Sequence, residues 1–172
     1  MKRAYMVLSL CLIVLGLVSS GCMSSSTARL EENKAIVRRL FEENLKGNWA
    51  LLNEELVVRD FVWHQAGRPK PLTREESEQF MRTLHAAFPD WRYTIEDMIA
   101  EGDKVVTRFT WRGTHKGDFM GIPATGKEVV FTSILICRIA EGKIAEEWEE
   151  FDALGFMVQL GAIPPMEEAG KK

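Results

Sequence analysis

From residue 91 onward the chain is almost wholly a succession of β-branched and aromatic segments: 91–101, 104–115, 127–140 and 143–152. Val, Ile, Thr, Phe and Trp at this density fit a pleated, half-buried surface, so each segment is expected to be a strand. Two of the three junctions, Gly102-Asp103 and Glu141-Gly142, are two residues long and carry a glycine for positive φ. They close tight antiparallel hairpins. A four-strand antiparallel meander with one open loop is therefore the frame into which the rest must fit.

That loop contains GIPATGKE (residues 121–128), which matches the first seven positions of a phosphate-binding P-loop. A P-loop needs a Ser or Thr after its Lys and must open a helix whose amide groups face the phosphate. Here Glu128 follows Lys127, and VVFTSILICRI continues as strand. Gly117, Gly121, Pro123 and Gly126 are instead the punctuation of a wide hairpin loop.

Upstream the period changes to that of helices. Leu30, Val37, Leu40, Phe41 and Leu45 recur at helical spacing between Ala28 and Lys46, and Gly47 is the stop. Trp49, Leu52 and Leu56 suggest a short second helix running into the extended segment VVRDFVWHQ. Thr73 and Glu76 form a capping box ahead of Phe80, Met81, Leu84 and Phe88, and Pro89 closes that helix. Helices followed by a meander predict an α+β domain, with N-terminal helices packed on one curved antiparallel sheet.

The N-terminus has a different character. Lys2 and Arg3 precede an apolar run from Met6 to Val18, and small residues lead to Cys22. The run is shorter than the roughly 20 residues that span a bilayer, so residues 1–21 read as an export signal; the Ser20-Gly21-Cys22 ending resembles a lipoprotein signal, which favours Cys22 as lipid acceptor over plain secretion. Residues 22–27 then form a tether, 28–165 the domain and 166–172 a polar tail, in a membrane-anchored lipoprotein of the cell envelope. Loss of Lys2 and Arg3 makes the formal net charge of −3 more negative still. An acidic chain without a basic stripe excludes a nucleic-acid groove. Cys137, within SILICRI, is expected to be a buried packing residue.

Few residues can carry chemistry. The histidines are His64, His85 and His115, with no pair at metal-ligand spacing, so no metal site is expected. No G-x-S-x-G elbow activates Ser133. The segment KIAEEWEEFD is the unusual one. Alternation puts Glu146, Trp148, Glu150 and Asp152 on one face, and Glu147, Glu149 and Phe151 on the other. Such a strand is either a charge-guarded edge or one that aims a carboxylate into a cavity, where desolvation raises its pKa. For the second case Asp152 is chosen, because it borders the apolar ALGFMVQL. His64 and His115, near strand ends, would be its polar partners, while His85 reads as a helix-face residue. Trp63, Phe80, Trp111, Met120, Trp148 and Phe156 are core or the lining of a cavity for a small hydrophobic or aromatic ligand.

The segments AAFPDWRYTIEDMIAEGDKVVTRFTWRGTHKGDFMGIPATGKEVVF and RIAEGKIAEEWEEFDALGFMVQLG, with DFVWHQ as a weaker match, resemble the SnoaL-like polyketide cyclases, or ester cyclases, of the NTF2-like superfamily. The resemblance implies a cone-shaped α+β barrel around a deep pocket and a homodimer through the open sheet face. It also implies a cofactor-free, metal-free aldol-type closure or isomerisation of a small hydrophobic carbonyl compound, with Asp152 at the position of the acid/base aspartate. His64 and His115 match positions that face the pocket. A non-catalytic lipoprotein that binds a hydrophobic ligand is the alternative.

Overall fold

A computed structural model describes residues 25–164. The signal, Cys22 and the polar tail lie outside the described residues. Helix α1 spans residues 25–46 and so includes the end of the expected tether. Gly47, at φ 69°, ends it. Helix α2 (Trp49–Leu51) continues as one π-helical turn, Leu52–Leu56, which turns both Leu52 and Leu56 inward. Strand β1 (Val57–Gln65) follows, then the two-residue β2 (Leu72–Thr73) and α3 (Arg74–Ala87). The capping box is formed: Glu76 N donates to Thr73 Oγ1 at 3.3 Å, and Thr73 N to Glu76 Oε2 at 2.8 Å. Strands β3 (Arg92–Glu101), β4 (Lys104–Thr114), β5 (Glu128–Ala140) and β6 (Lys143–Phe151) make the meander. A helix not foreseen in the sequence, α4 (Ala153–Leu160), ends the domain.

The strand order is β2-β1-β6-β5-β4-β3. All pairings are antiparallel except β1 with β6, which run parallel. Strand β6 is therefore central, and the reading of KIAEEWEEFD as an edge strand is corrected: its polarity does not guard an edge. Register shifts in β1/β6, β3/β4 and β5/β6 mark irregularities that bend the strands. Residues of α1 then fill the concave side, where Phe41 packs edge-on against Tyr93 and Phe109 at 4.8 and 5.1 Å between centroids.

The loop from β4 to β5 contains its own tight turn. Phe119 and Ile122 exchange backbone hydrogen bonds of 3.0 and 2.9 Å around Met120 and Gly121, which have φ of 51° and 79°. Two successive positive φ values are the pattern of a two-residue hairpin turn, so this segment is loop and no phosphate cradle.

Candidate active site

Helices and sheet enclose a cavity of about 570 Å³ on the concave side. Strand alternation decides what faces it. Trp63 of β1, Trp111 of β4 and Phe131 of β5 point inward, and Phe80, Phe119 and Phe156 close the wall from α3, the loop and α4. Aromatic edges meet faces at several of these contacts, for example Trp63 on Phe80 at 5.7 Å and Phe131 on Phe156 at 5.6 Å, while Trp111 and Phe131 stack at 5.0 Å. Met120 lines the same cavity while remaining 67% exposed, so it stands at the opening.

On β6 the inward parity belongs to Glu147, Glu149 and Phe151, all of which line the cavity. Glu147 is buried, and its Oε1 is 3.7 Å from the Cys137 sulfur, whose thiol donates to it. Desolvation, followed by the charge of Glu149, raises the Glu147 carboxyl to about 8. Glu149 keeps some surface toward the cavity; desolvation lifts it to about 7 against the pull of hydrogen bonds from Ser133 and Gln65. Ser133 Oγ lies 2.9 Å from Glu149 Oε1. The Tyr93 phenol lines the same space and is pushed well above its ordinary value by burial and then by the two glutamates, so it remains a neutral donor. The Cys137 thiol is likewise raised by burial and by Glu147, which leaves it a packing residue without thiolate character.

The opposite parity of the same strand shows the contrast. Glu146 faces the convex side, between His64 Nε2 at 2.9 Å and Arg138 Nε at 3.1 Å. Partial burial opposes ionisation there, but the hydrogen bonds to His64 and Arg138, with the Arg138 charge, hold its carboxyl below the usual range. Neighbouring glutamates thus take opposite protonation behaviour from the side of the sheet they occupy.

Several expected site residues lie elsewhere. Asp152 is exposed, outside the cavity lining, and caps α4: its Oδ1 accepts from Gly155 N at 2.8 Å. A Cβ on residue 155 would fall 2.0 Å from Asp152 Oδ2, so the cap depends on the glycine. The dry carboxylate expected at residue 152 is supplied instead by Glu147 and Glu149. His64 and Trp148 stack on each other at 5.4 Å with a 5° interplanar angle on the convex face, which removes both from the cavity. His115 is 0% exposed but stacks behind Phe88 at 5.0 Å, with Nδ1 accepting from Thr125 N at 3.3 Å. It supports the wall and does not line it. Trp63, Phe80, Trp111, Met120 and Phe156 do line it. His85 packs between Trp49 and Trp91 with Nε2 2.7 Å from the Asn44 carbonyl, a helix-face role. Among the described residues no group of His, Cys, Asp and Glu could hold a metal ion.

Comparison with known proteins agrees with this architecture. The chain is 29% identical over 119 residues to the aklanonic acid methyl ester cyclase DauD of Streptomyces sp. (strain C5), an alignment covering 64% of this chain and 74% of that protein. Among solved structures, IdmH of Streptomyces antibioticus superposes with a TM-score of 0.66 at 33% identity, covering 75% of this chain and 98% of IdmH. AclR of Streptomyces galilaeus reaches a TM-score of 0.72 at 24% identity over 81% of this chain and 87% of its own, a likeness of fold. The family model for SnoaL-like polyketide cyclases matches residues 35–160, the span that builds the cavity and its two inward-facing glutamates, and the chain belongs to that family.

Proposed function

We propose that this chain is a cofactor-independent acid/base enzyme of the cyclase or isomerase type, acting on a small hydrophobic carbonyl compound through Glu149 and Glu147. The observation that carries the reading is a pair of carboxyls, two residues apart on one strand, both held near neutrality inside an aromatic cavity. Glu149, with the lower value and two hydrogen-bond donors that favour its anion, is the base that takes a proton from the carbon beside the carbonyl. Glu147, which keeps its proton to higher pH, and the Tyr93 hydroxyl are donors for the enolate oxygen that results. The proton then returns from Glu149 to carbon or to a new alkoxide, so the enzyme ends as it began.

Deuterium washout from 2-tetralone, a two-ring ketone, tests this by NMR in heavy water. The protein is expected to accelerate exchange at the α-carbon, and Glu149→Gln to lower that rate by about 100-fold or more. Asp152→Asn should leave it within about twofold. No acceleration, or a Glu149→Gln rate equal to wild type, refutes the reading. Binding of aromatic compounds without exchange would support the alternative, a carrier for hydrophobic ligands, which the apolar lining also suits.

Two further parts of the proposal concern context. The basic start, apolar run and Cys22 support export and lipid attachment, and Cys22→Ser should abolish incorporation of labelled fatty acid. Ile99 and Ile134, 66% and 46% exposed on the outer sheet face, support a homodimer through that face. Ile134→Glu should then yield monomer in sedimentation; a wild-type monomer contradicts it.

A further inference from the structure

The ionisable groups that line the cavity away from its floor are Arg68, Arg74 and Glu78. Two of them are neutralised. Arg74 Nη2 pairs with Glu75 Oε1 at 3.1 Å and its Nη1 donates to the Asn53 carbonyl, while Glu78 Oε1 pairs with Arg82 at 2.7 Å and its Oε2 takes Asn53 Nδ2. Arg68 differs. Its Nε donates to Gln65 Oε1 at 2.7 Å, and its guanidinium lies over the Phe80 ring at 5.4 Å. Those two contacts fix the plane of the group and leave its terminal nitrogens with no carboxylate in ion-pairing distance among the described residues. The Glu76 carboxyl, which feels its charge, is committed to the Thr73 amide at 2.8 Å. Exposed yet lining the cavity, Arg68 stands at the opening.

A held guanidinium with free N–H groups beside an aromatic-walled cavity is a receptor for an oxyanion. The floor reinforces the orientation, because Glu149 in its ionised, basic form repels a second negative charge. We propose that Arg68 forms an anion subsite at the opening, and that the ligand is amphipathic: a ring-bearing apolar body enters, and one carboxylate-like or sulfonate-like group stays at Arg68. The residue then decides which end of the molecule reaches Glu149. This rests on the reading of the cavity as the ligand site and names the class of compound it takes.

Two fluorescent probes with the same anilinonaphthalene body separate the contributions. 8-Anilinonaphthalene-1-sulfonate carries an anion and N-phenyl-1-naphthylamine does not. Arg68→Met is expected to weaken the sulfonate about tenfold and to leave the neutral probe within about twofold. Raised ionic strength should likewise weaken only the sulfonate on the wild-type protein. Equal weakening of both probes would make Arg68 a wall residue, and no change in either would make it a bystander; each overturns the proposal. If neither probe binds the wild type, the cavity is not a ligand site and the proposal falls with that reading. If the neutral probe binds and the charge is ignored, only the anion subsite falls.

Discussion

The Ser133 hydroxyl lies 2.9 Å from Glu149 Oε1 and 3.0 Å from the carbonyl oxygen of Glu150. It has one proton for two acceptors. With Glu149 ionised, Ser133 donates to the carboxylate; with Glu149 protonated, the carboxyl can donate to Ser133 Oγ while the hydroxyl turns to the carbonyl. Both protonation states are satisfied without movement of heavy atoms. Ser133→Ala removes the donor that favours the anion, so the Glu149 pKa should rise by about one unit. The acidic limb of the tetralone exchange profile should move to higher pH by the same amount, which a pH–rate series measures.

The two raised carboxyls also set the pH dependence of stability. An unfolded glutamate titrates near 4.5, the folded Glu149 near about 7 and Glu147 near about 8. Between these values the native chain retains protons that the unfolded chain has released. Their contribution is therefore fully present below pH 4.5 and is lost as pH rises toward 8, beyond which the curve flattens. Urea denaturation at pH 5 and pH 9 should show the wild type weaker at the higher pH. Glu149→Gln should recover roughly 2 kcal/mol of that difference.

Asp90 has the opposite sign. Its carboxyl accepts from the Thr114 amide at 2.8 Å and from Lys116 at 3.2 Å, and the backbone bond chiefly holds its pKa down at about 2. The stabilisation is present above its unfolded value of 3.8 and is lost as pH falls through 2. Because the pair is partly exposed, Asp90→Asn should cost only about 1 kcal/mol at pH 7 and nothing near pH 1.5, read by denaturation at the two pH values.

Gly117 is where the β4–β5 loop meets the end of α3. Lys116 N and Gly117 N both donate to the Ala87 carbonyl, at 2.8 and 3.1 Å, and a Cβ on residue 117 would lie 2.7 Å from Ala86 O and 3.1 Å from Ala87 Cα. Backbone cannot yield as a flexible side chain can, so Gly117→Ala should destabilise the domain by about 2–3 kcal/mol. Calorimetry would register this as a lower Tm, whereas Gly121→Ala, open to solvent, should cost only its positive φ.

Much of the fold was legible because its signals are local. The capping box at Thr73, the glycine turns at Gly102 and Gly142 and the apolar period of α1 each depend on residues close in sequence. The inward parity of β6 is not local. Trp148 and Phe151 occupy opposite faces, so both sides of the strand carry an aromatic and hydrophobicity alone does not choose between them. The choice is made by β1, which lays His64 against Trp148 on the convex side and Gln65 against Glu149. A parallel pairing between segments so far apart leaves no turn signature. For Asp152 a local signal did exist: an aspartate three residues before Gly155, with Gly161 beyond the last apolar residue, is the start and stop of a short helix. Those marks identify a cap, and a residue that caps a helix is committed to its amides.

The β1–β6 pairing also has a consequence for how the domain is made. Phe61 and Trp63, buried in the finished sheet, belong to a strand whose parallel neighbour is the last of the described strands in chain order. Until β6 emerges, β1 has only the short β2 to pair with, and contacts of such high sequence separation form slowly. Amides of β1 and β6 should gain protection together, after the β4–β5 hairpin, in a pulse-labelled exchange experiment during refolding. The acid pair at the heart of the cavity is then assembled in the closing step of folding, so nascent chains that lack the final strand are without it.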